Sequence, residues 1–384
     1  MPTNGAREIV EGRARIACQS EAGQVFYNPK MSLNRDLAIL FVKSYFDPQK
    51  QIRIADPMTA SGVRAARYLL ECSNVEQVEC SDINRAAVDA AHQTARLNGL
   101  DDRMVITEGE ANNLLLRHAT TRRLDLVDLD PFGSPAPFFE GALRATSDRG
   151  ILAATATDMA PLTGARSAAC FRKYNVVPVR TEFEKEIAVR ILVASLAFAS
   201  GRLELGVRVV FSHASEHYAR VYVEVEKGRR SANNSARNIG FIDYCPTCLR
   251  RDPRGVFEEF QLQCEDCASK KKPCGPIWLG PLWDNQVVQR MNEHAGAVDS
   301  PRLTVLQRTL GLIEQEASAP AFYHRVDATA RSLRSSPPKL KNVLRTLAGC
   351  DFTSAQTHFH PNGFRTNAPD NIVRSIVSDL AKKT

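Results

Sequence analysis

The stretch that decides the fold is Leu126-Val-Asp-Leu-Asp-Pro-Phe-Gly-Ser-Pro-Ala-Pro137, in which an apolar, strand-like run ends in two acids. Asp130 leads into Pro131, Phe132 and Gly133, a composition that continues neither a strand nor a helix. In open α/β sheets, ligands lie just outside the carboxyl ends of the strands. An acid, a rigid turn and an aromatic ring therefore stand where a substrate would bind. For this stretch alone, the alternative is a turn with a core Phe.

Such a loop has the chemistry that N-methylation of a planar amine requires. The carboxylate of Asp130 can accept a hydrogen bond from the exocyclic amine, because an ionised carboxylate is an acceptor only. Pro131 fixes the backbone, and the ring of Phe132 can stack on a base.

The overall composition is that of a soluble globular protein. At 384 residues the chain exceeds the size at which one core keeps growing, so two domains are expected. The net charge of +7 is compatible with a nucleic-acid partner. Residues 1–20 lack the apolar core of a signal peptide, and the apolar run 187–199 is interrupted by Arg190 and too short to cross a bilayer. We expect a cytoplasmic protein with no membrane partner.

Strands and helices alternate through the first part of the chain. This alternation predicts an α/β fold with a mostly parallel, doubly wound sheet. A basic, polar stretch at 228–235 is a candidate linker, and we place the domains at 1–230 and 231–384. The predicted strands are 51–55, 75–80, 104–107, 124–129, 150–156, 205–212 and 219–227, and the last two are expected to be antiparallel neighbours. The predicted helices are 62–71, 84–98, 181–199, 302–316, 321–333 and 340–347.

A candidate cofactor loop follows the first strand of this sheet. It reads Asp56-Pro-Met-Thr-Ala-Ser-Gly-Val-Arg64 and opens a helix. With a single glycine, this loop does not match the glycine-rich loops that bind a pyrophosphate. The carboxylate of Asp56 and the hydroxyls of Thr59 and Ser61 instead suit a cofactor with an amino-acid tail.

The next two strands also end in acids. Asp82, followed by Ile83, is placed to accept both ribose hydroxyls, and Glu110-Ala111 lies near an adenine. Taken together, the polar residues at the strand ends predict that the cofactor is S-adenosylmethionine, bound with its methyl group directed at Asp130. Arg35, upstream of the sheet, could bind the methionine carboxylate, and the alternative is an N-terminal salt bridge.

Four cysteines have the spacing of a structural metal site. Cys245 and Cys248 form one pair, and Cys264 and Cys267 form the second. Two such pairs predict a four-thiolate zinc site with no open position and no catalytic role. Cys274 is an alternative ligand, and unligated thiols are the alternative to a metal.

At this point the chain resembles a known family, the tRNA guanine-26 N2-dimethyltransferases, over residues 26–368. The Asp128–Pro135 loop and the Gly-Pro-Ile-Trp run are specific to this family. The motifs that carry the resemblance are Phe26-Tyr-Asn-Pro29, Asn34-Arg-Asp36, Asp56–Arg64, Asp128–Pro135, Thr155–Leu162, Tyr218-Ala-Arg-Val-Tyr222, Gly275–Asp284 and Arg365-Thr-Asn-Ala368.

The resemblance implies a class I, Rossmann-like methyltransferase domain followed by a mixed α+β, tRNA-binding domain that carries the zinc site. It implies dimethylation of the N2 amine of guanine 26 in tRNA, with a neighbouring guanine as a further target. Separately, we expect a monomer that requires no protein partner. Family members tend to have Asp where Glu110 stands. The implied catalytic residue is Asp130, and the base pocket is Phe26, Pro131 and Phe132. With the loop residues above, the cofactor-binding set is Arg35, Asp56, Ser61, Arg64, Asp82, Ile83, Glu110 and Ala111.

Two other functions stay open at the level of sequence. One is N-methylation of a different RNA or DNA base, and the other is a non-catalytic, zinc-containing RNA-binding protein. Basic clusters concentrated after residue 228 predict phosphate contacts with tRNA. These clusters are Arg229-Arg230, Arg250-Arg251, Lys270–Lys272 and Lys339-Leu-Lys341, and RNA contact is also expected for His358, His360 and Arg365.

Overall fold

The computed structural model describes residues 6–19, 27–215 and 217–382. Strands and helices alternate up to residue 227, and the rest of the chain mixes short strands with helices. No helix within these ranges combines the length and hydropathy needed to cross a membrane. The strands are β1 (Ala6–Glu11), β2 (Ala14–Gln19), β3 (Ile52–Asp56), β4 (Val75–Asp82), β5 (Met104–Glu108), β6 (Leu124–Leu129), β7 (Thr146–Ala156), β8 (Leu205–Ala214), β9 (Ala219–Lys227), β10 (Ile239–Tyr244), β11 (Arg251–Gly255), β12 (Lys272–Trp278), β13 (His324–Arg325), β14 (Ser354–Gln356) and β15 (Gly363–Thr366).

The helices cover the faces of these sheets and fill the C-terminal part. They are α1 (Ser32–Tyr45), α2 (Val63–Glu71), α3 (Arg85–Leu97), α4 (Ala111–Thr120), α5 (Phe139–Ala145), α6 (Met159–Leu162), α7 (Ser167–Tyr174), α8 (Glu184–Arg202), α9 (Arg229–Ala236), α10 (Asn285–His294), α11 (Leu303–Ala317), α12 (Val326–Ser332), α13 (Leu340–Gly349) and α14 (Asp370–Ala381).

The main sheet has the strand order β5-β4-β3-β6-β7-β9-β8 in the described part of the chain. The strands from β5 to β7 are parallel, whereas β9 is antiparallel to both β7 and β8. The α/β, doubly wound fold predicted from the sequence is confirmed, as is the antiparallel pair at its edge. The chain order reverses between β3 and β6, and ligands of such sheets bind at this switch point.

Gly62 brings α2 close to the sheet where that helix begins. Its φ of +76° lies in the left-handed region, and a Cβ there would meet the Met104 Cε at 2.6 Å and the Ala91 Cα at 3.2 Å. Only glycine satisfies both constraints. The start of α2 is thereby packed against β5 and α3, and a hydrogen bond from Thr59 N to Ser81 O (3.0 Å) holds the preceding loop to β4.

The structure differs from the sequence-based expectation at the proposed linker. Residues 229–236 form helix α9 instead. The Ser235 hydroxyl accepts a hydrogen bond from Val207 N (2.7 Å) and donates one to Val207 O (2.9 Å), so the helix is fixed to edge strand β8. The main hydrophobic core also continues past residue 230, where it includes Ile242 and Trp278. The division into domains 1–230 and 231–384 stays a prediction.

The C-terminal part has the mixed α+β character that was predicted. Strands β11-β10-β12 form one small sheet and β13-β15-β14 form another. The helix predicted over 321–333 begins only at Val326, because His324 and Arg325 pair with β15 instead. A separate core lies under this last sheet and includes Val343, Phe364 and Val377.

Arg365 joins this C-terminal part to the long helix α8. Its Nη2 lies 2.9 Å from a Glu186 carboxylate oxygen, and its Nε lies 2.6 Å from Glu316. Burial alone would raise the pKa of Glu186, but Arg365 and Arg190 outweigh it and lower that pKa to about 2.

His358 belongs to the same buried cluster. Its Nδ1 lies 2.5 Å from Glu316 Oε1, and its side chain, like that of Arg365, is almost inaccessible to solvent. The expectation that His358 and Arg365 contact RNA is therefore wrong. Both are interior residues that pair with buried carboxylates.

Replacing Arg365 should destabilise the whole protein. Arg365→Gln leaves Glu186 and Glu316 buried with too few partners, and breaking such a cluster costs about 3–5 kcal/mol of unfolding free energy. Chemical denaturation of both proteins measures the difference. Arg345→Gln, at an exposed site on α13, is the matched control. A loss no larger than that of the control would contradict the role given to Arg365.

Candidate active site

A cavity of about 740 Å³ opens at the carboxyl ends of β3, β4 and β6, at the switch point of the main sheet. The predicted site residues meet there, with one exception: Phe26 lies outside the described residues. The sequence-predicted residues that line the cavity are Arg35, Asp56, Ser61, Arg64, Asp82, Ile83, Glu110, Ala111, Asp130, Pro131 and Phe132.

Arg64, in the first turn of α2, fixes the carboxylate of Asp130. Its Nη2 donates to Asp130 Oδ2 and also to Asn34 Oδ1 at 2.9 Å. Its Nη1 lies 3.3 Å from Asp128 Oδ2. The guanidinium is 4% exposed, so it is held by its partners and little by solvent. The family resemblance implied that Arg64 contacts the cofactor, whereas its hydrogen-bond partners in this structure are the two aspartates and Asn34.

Asp128 lies beneath the loop and is fully buried. Its Oδ2 accepts hydrogen bonds from the Tyr68 hydroxyl (2.7 Å) and from Arg220 Nη2 (2.8 Å). Burial alone would raise the pKa of Asp128, but Arg220 and Arg64 outweigh it, and the pKa lies below its usual value. Asp128 is thus an inward-facing anchor, whereas Asp130 faces the cavity.

The Phe132 ring stands at the rim of the cavity with 77% of its surface exposed. The loop beside it is tied to the end of β7, because Gly133 N donates to Thr157 Oγ1 (2.7 Å) and Thr157 N donates to Gly133 O (2.9 Å). The alternative of a core Phe is therefore wrong for this loop. Its backbone is fixed and its ring is presented outward.

The cofactor side of the cavity carries acceptors in fixed positions. Asp82 accepts hydrogen bonds from Ala60 N (3.0 Å) and Asn84 N (2.9 Å), which orient its carboxylate. Glu110 caps the N-terminus of α4 by accepting from Asn112 N at 2.8 Å. The Ser61 hydroxyl is buried without a partner in the described part of the chain. A buried hydroxyl without a protein partner is expected to bind a ligand or a water molecule through a hydrogen bond.

Asp56 lies at the base of the same cavity and is 2% exposed. It accepts a hydrogen bond from the Thr59 hydroxyl at 3.1 Å. Burial raises its pKa to about 7, with smaller contributions from Asp128 and Asp130, and Arg64 opposes the shift. A carboxyl group of this kind is protonated in part near neutral pH.

Arg35 makes the salt bridge that the sequence left open as an alternative. Its Nε and Nη2 pair with the two carboxylate oxygens of Glu11 at 2.6 and 2.5 Å. Glu11 belongs to the hairpin of β1 and β2 and also accepts from Arg67 and the Tyr27 hydroxyl. Arg35 also lines the cavity, so the same side chain joins the hairpin to the site.

Several cavity residues were not singled out from the sequence. Thr157 and Tyr218 stand in motifs that carried the resemblance, so a signal for them existed. His217 precedes Tyr218, and no pattern in the sequence distinguished it. The cavity residues that were missed include Tyr27, Asn28, Lys30, Met31, Phe138, Thr157, His217 and Tyr218.

The four predicted cysteines come together outside this cavity. The Sγ atoms of Cys245, Cys248, Cys264 and Cys267 all lie within 4.8 Å of one another. Cys274, the alternative ligand, lies in β12 within the main hydrophobic core instead.

The two cysteine pairs sit in matching turns. Cys245 O accepts from Leu249 N (2.9 Å), and Cys264 O accepts from Ala268 N (2.8 Å). Leu249 and Ala268 both have positive φ, of 67° and 55°. Four thiols directed at one point by two equivalent turns match the ligand set of a four-thiolate metal site.

The parallel sheet, its switch-point cavity and the acids at the strand ends together define a Rossmann-like methyltransferase. A family model for N2,N2-dimethylguanosine tRNA methyltransferase matches residues 5–378. The chain belongs to this family, and the resemblance carried by the sequence motifs is confirmed.

Named relatives and a solved structure agree with that assignment. The tRNA (guanine(26)-N(2))-dimethyltransferase of Methanobrevibacter smithii is 33% identical over 367 residues, covering 94% of this chain and 93% of the relative. A relative from Aquifex aeolicus, named for guanine 26 and guanine 27, is 32% identical and covers 93% of this chain and 90% of its own length. Trm1 from Pyrococcus horikoshii, solved with S-adenosyl-L-methionine, superposes with a TM-score of 0.88 at 30% identity, covering 96% of this chain and 99% of that one.

The raised pKa of Asp56 predicts a pH-dependent stability. Between about pH 4, where the unfolded Asp ionises, and about pH 7, the folded protein holds a proton that the unfolded chain has lost. The stability contributed by protonated Asp56 is complete below about pH 4 and is lost as the pH rises through 7. Asp56→Asn removes this dependence, so its melting temperature relative to wild type should rise from pH 5 to pH 8.

Thermal unfolding of the cofactor-free proteins at several pH values measures that difference. Asp148→Asn, at an exposed position of β7, serves as the control. A wild-type-to-variant difference that stays constant from pH 5 to pH 8 would refute the assignment of a raised pKa to Asp56.

Proposed function

We propose that this chain transfers methyl groups from S-adenosylmethionine to the N2 amine of guanine 26 in tRNA, giving first mono- and then dimethylguanosine. The observation that carries the proposal is the rigid loop in which Asp130 faces the cavity and Phe132 stands at its rim. Membership of the family supports the substrate and the reaction.

The cavity has the donors and acceptors that the cofactor requires. Asp82 would bind the ribose hydroxyls, Glu110 and Ala111 would flank the adenine, and Arg35 would bind the methionine carboxylate. Asp56 and the unpartnered Ser61 hydroxyl line the loop between these groups. Bound there, the cofactor supplies an electrophilic methyl group on a sulfonium. Ile83, which is 75% exposed, would cover one side of the adenine as an apolar surface.

The guanine amine is a weak nucleophile, because its lone pair is delocalised into the ring. Arg64 engages Oδ2 of Asp130, and Oδ1 has no hydrogen bond in the described part of the chain. This oxygen, with the Pro131 carbonyl, can accept the N–H groups of the amine and localise its lone pair. Asp130 then takes the proton that the nitrogen loses as it gains a methyl group.

A guanine inside a stacked tRNA helix cannot reach Asp130, so it must turn out of the stack. The exposed ring of Phe132 offers a replacement for part of the lost stacking, worth about 1–3 kcal/mol per base. Phe26 remains a predicted second wall of this pocket.

The Asp130 carboxylate should be required for methyl transfer but not for cofactor binding. We expect Asp130→Ala and Asp130→Asn to lower the single-turnover rate by about 10²–10⁴-fold, the usual contribution of a general base. Glu140→Gln, at an exposed site on α5, is the control. Nucleoside mass spectrometry of treated tRNA transcripts measures the products, and calorimetry measures cofactor binding.

The same transcripts test the proposed substrate. Replacing guanine 26 should abolish methylation, and residual N2-methylguanosine would locate a neighbouring target such as guanine 27. Methylation of another base would favour the first alternative function. No methylation by the wild-type protein would favour the non-catalytic RNA-binding protein.

We propose that the four cysteines hold a structural zinc ion. Four thiolates leave no open position on the metal, so the site stabilises the turns that carry it and takes no part in methyl transfer. Elemental analysis should find about one zinc per chain, and Cys264→Ser should lower both the zinc content and the melting temperature. Cys350→Ser, exposed and outside the cluster, should change neither. Equal zinc content in both variants would contradict the proposal.

The remaining expectations concern the oligomeric state, the protein partners and the cellular location. A monomeric state without a protein partner and a cytoplasmic location stay predictions.

A further inference from the structure

A positively charged surface lies on the segment from Met159 to Arg180, which closely follows Thr157 of the cavity lining. This segment contains no Asp or Glu. It carries four cations, and Arg166, Arg172 and Arg180 are exposed and make no ion pair in the described part of the chain. The fourth, Lys173, pairs with Asp158 at 2.7 Å.

Arg172 faces outward because of how α7 packs. Cys170 and Tyr174, one turn apart, are buried. The opposite face therefore presents Phe171, which is 58% exposed, and Arg172.

A turn at Gly164 brings the two ends of the segment together. Gly164 has a φ of +82°, and a Cβ there would lie 3.0 Å from the Arg180 backbone nitrogen. Arg166, two residues further on, and Arg180 thus lie on neighbouring stretches of backbone. The segment is a compact patch and not an extended run of charge.

The patch is tied to the loop that carries Asp130. The Tyr174 hydroxyl donates to Asp158 at 2.6 Å, and Asp158 follows Thr157. Thr157 in turn bonds to Gly133 of the loop through both its hydroxyl and its amide. The position of α7 relative to the cavity mouth is therefore fixed.

The patch continues toward the cysteine cluster. Val177 and Gly275 exchange both backbone hydrogen bonds, at 2.9 and 3.0 Å. Gly275 lies in β12, which begins at the exposed Lys272. By contrast, Arg250 and Arg251, which were predicted to contact phosphate, are engaged in ion pairs within the protein.

We infer that Arg166, Phe171, Arg172, Arg180 and Lys272, called here the mouth patch, bind the sugar-phosphate backbone of the RNA strand that carries the target guanine. The inference rests on the proposed function. Unpaired arginines match phosphate, and an exposed aromatic among them can stack on an unstacked base. The nearest acids along the chain, Asp158 and Glu182, are neutralised by Lys173 and Arg251.

The test compares two triple variants that lose the same charge. Arg166→Gln/Arg172→Gln/Arg180→Gln removes the mouth patch arginines. Arg96→Gln/Arg117→Gln/Arg123→Gln removes three exposed arginines near the amino-terminal edge of the sheet, away from the cavity. Filter binding of a tRNA transcript over a range of salt concentrations gives the dissociation constant and its salt dependence.

We expect the mouth patch variant to bind tRNA at least about tenfold more weakly near 0.15 M salt. The negative slope of the logarithm of the association constant against the logarithm of the salt concentration should become shallower by about 2–3, roughly one for each lost phosphate contact. The KM for tRNA should rise in parallel, while cofactor affinity and kcat at saturating tRNA stay within about twofold of wild type, because these arginines are not among the residues that line the cavity.

Two outcomes would overturn the inference: equal weakening in both triple variants, which indicates a general effect of net charge, or wild-type binding by the mouth patch variant. Thermal unfolding checks that both variants fold. The proposed function is judged separately, by the nucleosides that the wild-type protein forms. If the wild-type protein methylates no tRNA guanine, but only the mouth patch variant loses tRNA affinity, then the proposed function is wrong and the mouth patch is still an RNA-binding surface.

Discussion

The guanidinium of Arg64 holds the two aspartates at the end of β6 in a fixed relation. It touches Asp128, which Tyr68 and Arg220 anchor inside the protein, and Asp130, which faces the cavity. Holding both carboxylates in place needs a buried arginine, because a planar guanidinium binds several acceptors at once and keeps its charge. The direction of the Asp130 carboxylate depends on this side chain, while the hydrogen bonds between Gly133 and Thr157 hold the loop backbone.

The elements that meet at Arg64 come from distant parts of the sequence. Arg64 lies in the first turn of α2, Asp128 lies in β6, Asp130 directly follows that strand, and Arg220 lies on β9. They converge because β3 pairs with β6, β6 with β7 and β7 with β9. The antiparallel edge of the sheet is thus part of the site, since it supplies the deepest partner of Asp128.

Much of this fold could be predicted from local pattern. Strand β6 and strand β9 have the predicted bounds, because their apolar runs stop at acids or turn residues. The cysteine cluster was also predictable, since its geometry is set within two short turns. An N-terminal salt bridge for Arg35 was an open alternative, but its partner Glu11 could not be predicted, because Glu11 lies in a hairpin that no periodic pattern indicated. Likewise, charge alone could not show that Arg365 is interior, since its partners lie on other elements.

The pairing of Glu186 with Arg365 has a consequence for synthesis on the ribosome. The two residues are 179 positions apart. Domains generally fold from the N-terminus as the chain emerges, so α8 can pack before its arginine partner exists. Until then Glu186 has Arg190 as its ion-pair partner, and the nascent core carries an incompletely compensated charge. A chain that stops before β15 therefore keeps Glu186 buried with one ion-pair partner fewer, which lowers the stability of everything that α8 packs against.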